Sequence, residues 1–221
     1  MSLSVDLFWS FRSPYSYLAT PRVVALAAKY DLTVIVRPVY PIAIRKPEFF
    51  RQINPLWVPY LHRDIQRVGE FNGMPIKRPV PDPVVMDMKT LAISEEQPYI
   101  HRLTRLGVEA ARRGAGLPFI AEVSRLLWGD EVTGWDQGDH LAGAASRAGV
   151  ELAELEAAVA GGESGYDAEI AENQDALGAA GHWGVPTLVF QGEPFFGQDR
   201  IDLCVWRMQQ HGLAERHGKG N

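Results

Sequence analysis

The sequence predicts an α/β protein: a four-stranded mixed sheet whose two halves are separated by an all-helical insertion. Three observations carry this. First, Leu3-Ser4-Val5-Asp6-Leu7-Phe8-Trp9 and the β-branched run Leu32–Val39 flank a stretch of helical periodicity, so a βαβ unit with parallel strands is expected. Second, from about residue 42 to 165 strand-like alternation nearly disappears and proline-punctuated helical patterns take over. Third, Thr187–Phe190 and Pro194–Phe196 flank the tight turn Gln191-Gly192-Glu193, which reads as a hairpin feeding a last amphipathic helix. The expected domains are therefore 1–41 with 164–221, a discontinuous sheet domain, and 42–163, the inserted helical domain.

In chain order, the turn Phe11-Arg12-Ser13-Pro14-Tyr15-Ser16 sits where the first strand feeds the first helix. Tyr15, Leu18, Val23, Val24, Leu26 and Ala27 recur at helical spacing up to Tyr30. Ser13 is placed as N-cap and Pro14 as the first helical residue. A helix start presents unpaired N–H groups and a positive dipole end, so it suits an anion or a thiolate. A plain cap is the other reading of the same serine. Pro38 and Pro41 end the second strand. Further helices are expected over Leu56–Val68, Met86–Ile93, Tyr99–Arg113, Phe119–Leu127, Gln137–Ala148 and Leu152–Ala160. Residues 77–83, with Pro79, Pro81 and Pro83, form an extended connector. The helix Ser164–Ala180 is expected to turn Asn173-Gln174-Asp175 to solvent. Asp199 is expected to cap the final helix, which carries Ile201, Leu203, Val205, Trp206 and Met208, and the tail from Gly212 to be frayed.

Composition narrows the function classes. Of 221 residues 46% are hydrophobic and 22% charged, enough apolar material for a full core. The formal net charge is -5 and no basic run stands out, which argues against a nucleic-acid partner. No run of 18 apolar residues exists and no signal-peptide pattern opens the chain, so no membrane partner and a cytoplasmic location are expected. One cysteine, Cys204, excludes an internal disulfide and a cysteine metal cage; it reads as a small core residue. His101, His140 and the other histidines lack metal-ligand spacing with carboxylates, so no metal is expected.

The order strand, turn at a helix start, helix, strand, then a helix and Val185-Pro186-Thr187 opening a hairpin resembles the thioredoxin fold. In that fold the proline opening the third strand is cis, so a cis Val185–Pro186 bond is expected. The helical insertion is similar to that of disulfide oxidases, kappa-class glutathione transferases and 2-hydroxychromene-2-carboxylate isomerases. The oxidases need a Cys-x-x-Cys pair where this chain has Ser13-Pro14-Tyr15-Ser16, and without it dithiol exchange is closed. Ser13 to Ala19 (Ser-Pro-Tyr-Ser-Tyr-Leu-Ala), Tyr60-x-x-x-Asp64-x-x-Arg67, Gly184-Val185-Pro186-Thr187 and Phe196-Gly197-Gln198-Asp199-Arg200 resemble the isomerase branch, in the right order.

The resemblance implies glutathione as cofactor and Ser13 as the catalytic residue beside its sulfur. It implies Asn54, His62, Val185, Pro186, Phe196, Gln198 and Asp199 as further binding residues, and a homodimer. The family's isomerases often carry a lysine where this chain has His62. The implied activity is cis-trans isomerisation of 2-hydroxychromene-2-carboxylate or a related aromatic pyruvate, with a small aromatic substrate as partner. A kappa-like transferase and a non-catalytic glutathione- or peptide-binding module are the alternatives. Arg45, Lys46, Arg51, Lys77 and Arg78 are expected to flank the cleft, and Trp57, Tyr60, Phe71, Trp128 and Trp183 are candidates for its aromatic lining.

Overall fold

The computed structural model describes residues 2–87, 89–129 and 131–216. Strand β1 (Leu3–Trp9) lies in the middle of the sheet beside β2 (Leu32–Pro38), in parallel register from Leu3 opposite Leu32 to Trp9 opposite Pro38. On its other side β3 (Thr187–Phe190) runs antiparallel, with Phe8 opposite Thr187, and β4 (Glu193–Phe196) closes the order β2-β1-β3-β4. Both central residues of the β3–β4 turn have positive φ, Gln191 at 51° and Gly192 at 82°, the twist that a two-residue hairpin turn requires. Both faces of the sheet carry buried apolar residues. Val5, Leu7 and Trp9 point into one apolar cluster, and Phe8 points into another with Val39, Leu177 and Val189.

Helix α1 (Pro14–Lys29) starts at Ser13 and packs its buried face, Tyr17, Leu18 and Val23, on the sheet. The helical stretch follows β2. It comprises α2 (Ile42–Arg45), α3 (Phe49–Gln52), α4 (Trp57–Phe71), α5 (Ile100–Arg112), α6 (Gly116–Trp128), α7 (His140–Arg147) and α8 (Leu152–Val159). Its core is continuous with that of the sheet: Leu7, Phe11, Leu106, Phe119 and Leu155 belong to one cluster. Gly107 allows this closeness, because a Cβ there would stand 2.9 Å from the Phe11 ring. Helix α9 (Glu163–Ala179) covers the opposite face of the sheet with Leu177, and α10 (Ile201–Gln210) follows a short 3-10 turn, Gln198–Arg200. No helix among the described residues is long and apolar enough to cross a membrane.

Four expectations are corrected. Met86–Ile93 is not a helix: Met86 and Ile93 pair in an antiparallel bridge, and the Asp87 carboxylate accepts the Lys89 and Thr90 N–H groups at the turn (Met88 lies outside the described residues). Asn173 is buried rather than solvated, donating to the Pro38 carbonyl at 3.1 Å, and the Gln174 side chain accepts the Tyr40 N–H at 3.2 Å. Asp199 does not cap α10: the 3-10 turn comes first, Arg200 takes the cap position, and Asp199 pairs with it at 2.7 Å. The tail is held as far as Arg216, whose N–H donates to the Lys29 carbonyl while the Asp31 N–H donates to that of Ala214; residues 217–221 lie outside the described residues.

Candidate functional site

A cleft of about 1110 Å³ opens where the start of α1 meets α2–α4, the residues Arg78, Asp82, Met86 and Leu91 of the connector and the turn after it, and the loop before β3. Its floor is the turn after β1. Three bonds fix that turn: Trp9 Nε1–H donates to the Ser16 carbonyl (3.2 Å) and to Thr20 Oγ1 (3.0 Å), and Trp128 Nε1–H donates to the Phe11 carbonyl (3.0 Å). Ser13 Oγ accepts the Ser16 N–H at 3.2 Å, the expected N-cap bond, and donates to the Val185 carbonyl at 3.3 Å. Among the described residues no acceptor meets the Tyr15 or Val185 N–H, so each is a free donor on the cleft wall. The Ser10 and Ser16 hydroxyls are buried with no partner among the described residues.

Arg12, next to Ser13, reaches across to the connector. Its Nε–H and Nη2–H donate to Asp82 at 2.9 and 3.1 Å, its Cζ stands 5.6 Å from the centre of the Phe50 ring, and Arg78 donates to the same carboxylate at 2.8 Å. Burial alone would raise the Asp82 pKa. The Arg12 charge, with hydrogen bonds from Arg12, Arg78 and the Val84 N–H, overrides it and holds the carboxyl below its ordinary range. The Tyr15 hydroxyl donates to Asp64 at 2.6 Å, and Asp64 also accepts from Tyr60 and Arg67 at 3.3 Å each. Burial first, and the Asp64 carboxylate second, push the Tyr15 phenol well above its usual pKa. It remains a neutral donor that fixes α1 to α4.

The walls are aromatic. Phe49 stands 5.6 Å from Trp183 and 6.1 Å from Trp57, between rings. His182 stacks on Phe196 at 3.9 Å, and its Nδ1 accepts the Gly184 N–H at 2.9 Å. Gly184 is required there, because a Cβ would meet the Phe196 ring at 2.5 Å. Burial lowers the His182 pKa.

The cleft brings together Ser13, His62, Val185 and Phe196 of the residues named from the sequence, with Arg45, Arg51, Arg78, Trp57, Trp128 and Trp183. Pro186 is buried behind Val185, and the bond between them is cis, as expected. Asn54 lies outside the lining, its side-chain oxygen accepting the Leu56 N–H at 2.9 Å in a local turn. Gln198 and Asp199 are also outside it; the Gln198 carbonyl accepts from Arg22 at 2.7 Å. The Arg12–Asp82 pair and the rings of Phe49 and Phe50 are functional candidates that sequence reasoning passed over. Only the adjacent rings Phe49-Phe50 in a mostly polar, proline-bounded segment signalled any of them. Among the described residues no group of three or more histidine, cysteine or acidic side chains is placed to hold a metal.

Among solved structures, a 2-hydroxychromene-2-carboxylate isomerase is similar over 95% of this chain and 96% of its own, with a TM-score of 0.70 and 21% identity. A probable DsbA oxidoreductase from Streptomyces coelicolor matches 94% of this chain and 89% of its own, with a TM-score of 0.64 and 17% identity. The cytosolic disulfide reductase DsbM from Pseudomonas aeruginosa, solved with GSH, matches 95% and 99%, with a TM-score of 0.60 and 15% identity. No curated protein sequence matches the chain. The family model of the DSBA-like thioredoxin domain matches residues 4–209, and with β1, α1, β2 and the α9–β3–β4–α10 segment arranged around that helical insertion, the chain belongs to the DSBA-like thioredoxin domain family.

Proposed function

We propose that the protein is a glutathione-dependent cis-trans isomerase of aromatic pyruvate-type compounds, such as 2-hydroxychromene-2-carboxylate. One observation carries the reading: a hydroxyl and a free N–H stand at the helix start where thiol chemistry is done in this fold, and the chain brings no thiol there. Its one cysteine, Cys204, is buried in α10, and burial pushes that thiol up to about 12, where it stays protonated and inert. The thiol must then come with a ligand. The free Val185 N–H and the Val185 carbonyl suit the backbone of a short extended peptide, as glutathione is. A relative solved with GSH and an isomerase relative of the same fold support the same choice.

When bound, glutathione supplies a thiolate that adds reversibly to an unsaturated carbon, so that a double bond becomes single and can rotate. The residues of this chain do the rest. The start of α1 and the Tyr15 N–H favour negative charge beside Ser13. The Ser13 hydroxyl turns its proton from the Val185 carbonyl to the sulfur once that carbonyl has a peptide N–H to accept. Phe49, Trp57 and Trp183 hold an aromatic ring against the thiol. The cleft, at about 1110 Å³, is somewhat larger than a pocket for one small ligand, about 300–1,000 Å³, which suits two small molecules together. A homodimer, a cytoplasmic location and His62 as a substrate contact belong to the same reading.

The test is turnover of ring-opened aromatic pyruvates with and without glutathione, in wild type and Ser13→Ala. Turnover only with glutathione is expected. The variant should lose about ten- to a hundredfold in rate, since a hydrogen bond to a charged group contributes about 1.5–3 kcal/mol. Glutathione affinity should change less. Turnover without glutathione, or equal rates in both proteins, would overturn the reading, and a stable glutathione conjugate as product would make the protein a transferase instead.

A further inference from the structure

We infer that Arg45 is the carboxylate-binding residue of the cleft and sets its preference for anionic over neutral aromatic ligands. The inference rests on the reading above only in placing the organic ligand in this cleft. The chain as a whole is negative, yet the charges lining the cleft are not. Arg12, Arg45, Arg51 and Arg78 line it, and Asp82 is the one carboxylate among the described lining residues. Asp82 is already spent on Arg12 and Arg78. Arg51 is exposed at the rim.

Arg45 differs from all of these. It is half-buried at the end of α2, and its Nε–H is fixed by the Tyr40 carbonyl at 2.8 Å. Tyr40 is itself held, its N–H by Gln174 at 3.2 Å and its hydroxyl by Asp167 at 2.6 Å. Among the described residues no carboxylate pairs with Arg45 and no acceptor meets its terminal Nη groups. Burial lowers its pKa without a partner to offset the loss. A desolvated guanidinium lacking a counter-ion is unfavourable until an anion arrives. Its terminal Nη groups carry the N–H fork that matches a carboxylate. The Nε–H is anchored, the terminal donors are free, and the same cleft is lined by the aromatic rings of Phe49 and Trp183. An aromatic carboxylate satisfies all three features at once.

A carboxylate of glutathione has the same chemistry, and the experiment separates the two sources. Binding is read by quenching of tryptophan fluorescence, Trp57 and Trp183 being in the cleft wall. The probes are trans-cinnamate, its neutral methyl ester, and glutathione alone. Proteins are wild type, Arg45→Gln and Arg45→Lys, with thermal melting to check folding; glutamine retains a donor for the Tyr40 carbonyl. The expected result is that Arg45→Gln weakens cinnamate at least tenfold, leaves the ester and glutathione within twofold, and is partly rescued by lysine. Equal weakening of ester and acid would make Arg45 a packing residue. Selective loss of glutathione affinity would assign it to the cofactor, and no binding of cinnamate to wild type would remove the site. Each of these overturns the inference. Because no turnover is measured, an absence of isomerase activity with cinnamate selectivity intact would sink the proposed function and leave Arg45 standing.

Discussion

His182 shows how a single ring ties the cleft wall to pH. It stacks on Phe196, and its Nδ1 accepts the Gly184 N–H, which only the deprotonated nitrogen can do. Burial depresses the folded-state pKa, so on acidification the unfolded chain takes up the proton first. The stability contribution is therefore complete above the ordinary histidine value of about 6.5 and is lost as pH falls through the lower folded value. In His182→Gln, which does not titrate, the melting temperature should fall less steeply than in wild type between about pH 7 and pH 5. Parallel slopes would show that the ring is not coupled to folding. None of this was legible in the sequence, where His182-Trp183-Gly184 is merely a loop. The Ser13 cap was legible, because its partner, Ser16, is three residues away. The Arg12–Asp82 and Tyr15–Asp64 pairs were not, because their members lie 70 and 49 positions apart and nothing local marks them.

At the level of elements, periodicity located what periodicity causes. All four strands were legible, β1 and β3 as short apolar runs, β2 as a β-branched run and β4 as the return of a tight hairpin turn, and α1 because cap, proline and apolar spacing agree. Helix α9 was legible as a helix but not in its facing. Asn173 looks like a solvent residue by type, yet it is the donor that satisfies the Pro38 carbonyl, and it accepts from Arg37 at 3.4 Å, itself paired with Asp6 at 2.7 Å. A polar residue on a buried face is intelligible only once the strand end it serves is in place. Residues 86–93 failed for the opposite reason. Apolar spacing suggested a helix, but prolines upstream and the Asp87 side chain, which bonds the backbone at its own turn, won locally. That segment carries Met86 and Leu91 into the cleft, so the misread stretch is also part of the candidate site.

Across the whole molecule, the division of the chain at residues 42 and 163 is a statement about sequence order, and the packing bears on whether it is also one about folding. Trp9 at the end of β1 meets Phe11 edge to face at 4.7 Å, and Phe11 meets Phe119 of α6 in the same way at 6.2 Å. All three rings are essentially inaccessible to solvent, and they join the sheet to the helical stretch through one cluster. A part that shares its largest side chains with its neighbour loses most of its apolar burial when separated from it, so the two are expected to unfold together. Phe119→Ala tests this, because it removes a ring from the helical side of the seam only. The variant should lose about 3–5 kcal/mol, the usual range for a fully buried phenylalanine. The measurement is urea unfolding followed by far-ultraviolet circular dichroism and by tryptophan fluorescence, with Trp9 on the sheet side and Trp128 and Trp135 on the helical side. Coincident curves in wild type, shifted together in the variant with an unchanged slope, are the expected outcome. A variant in which the two signals separate would mean that the helical stretch melts on its own, and that the cleft between α1 and α2–α4 is framed by two independently stable parts.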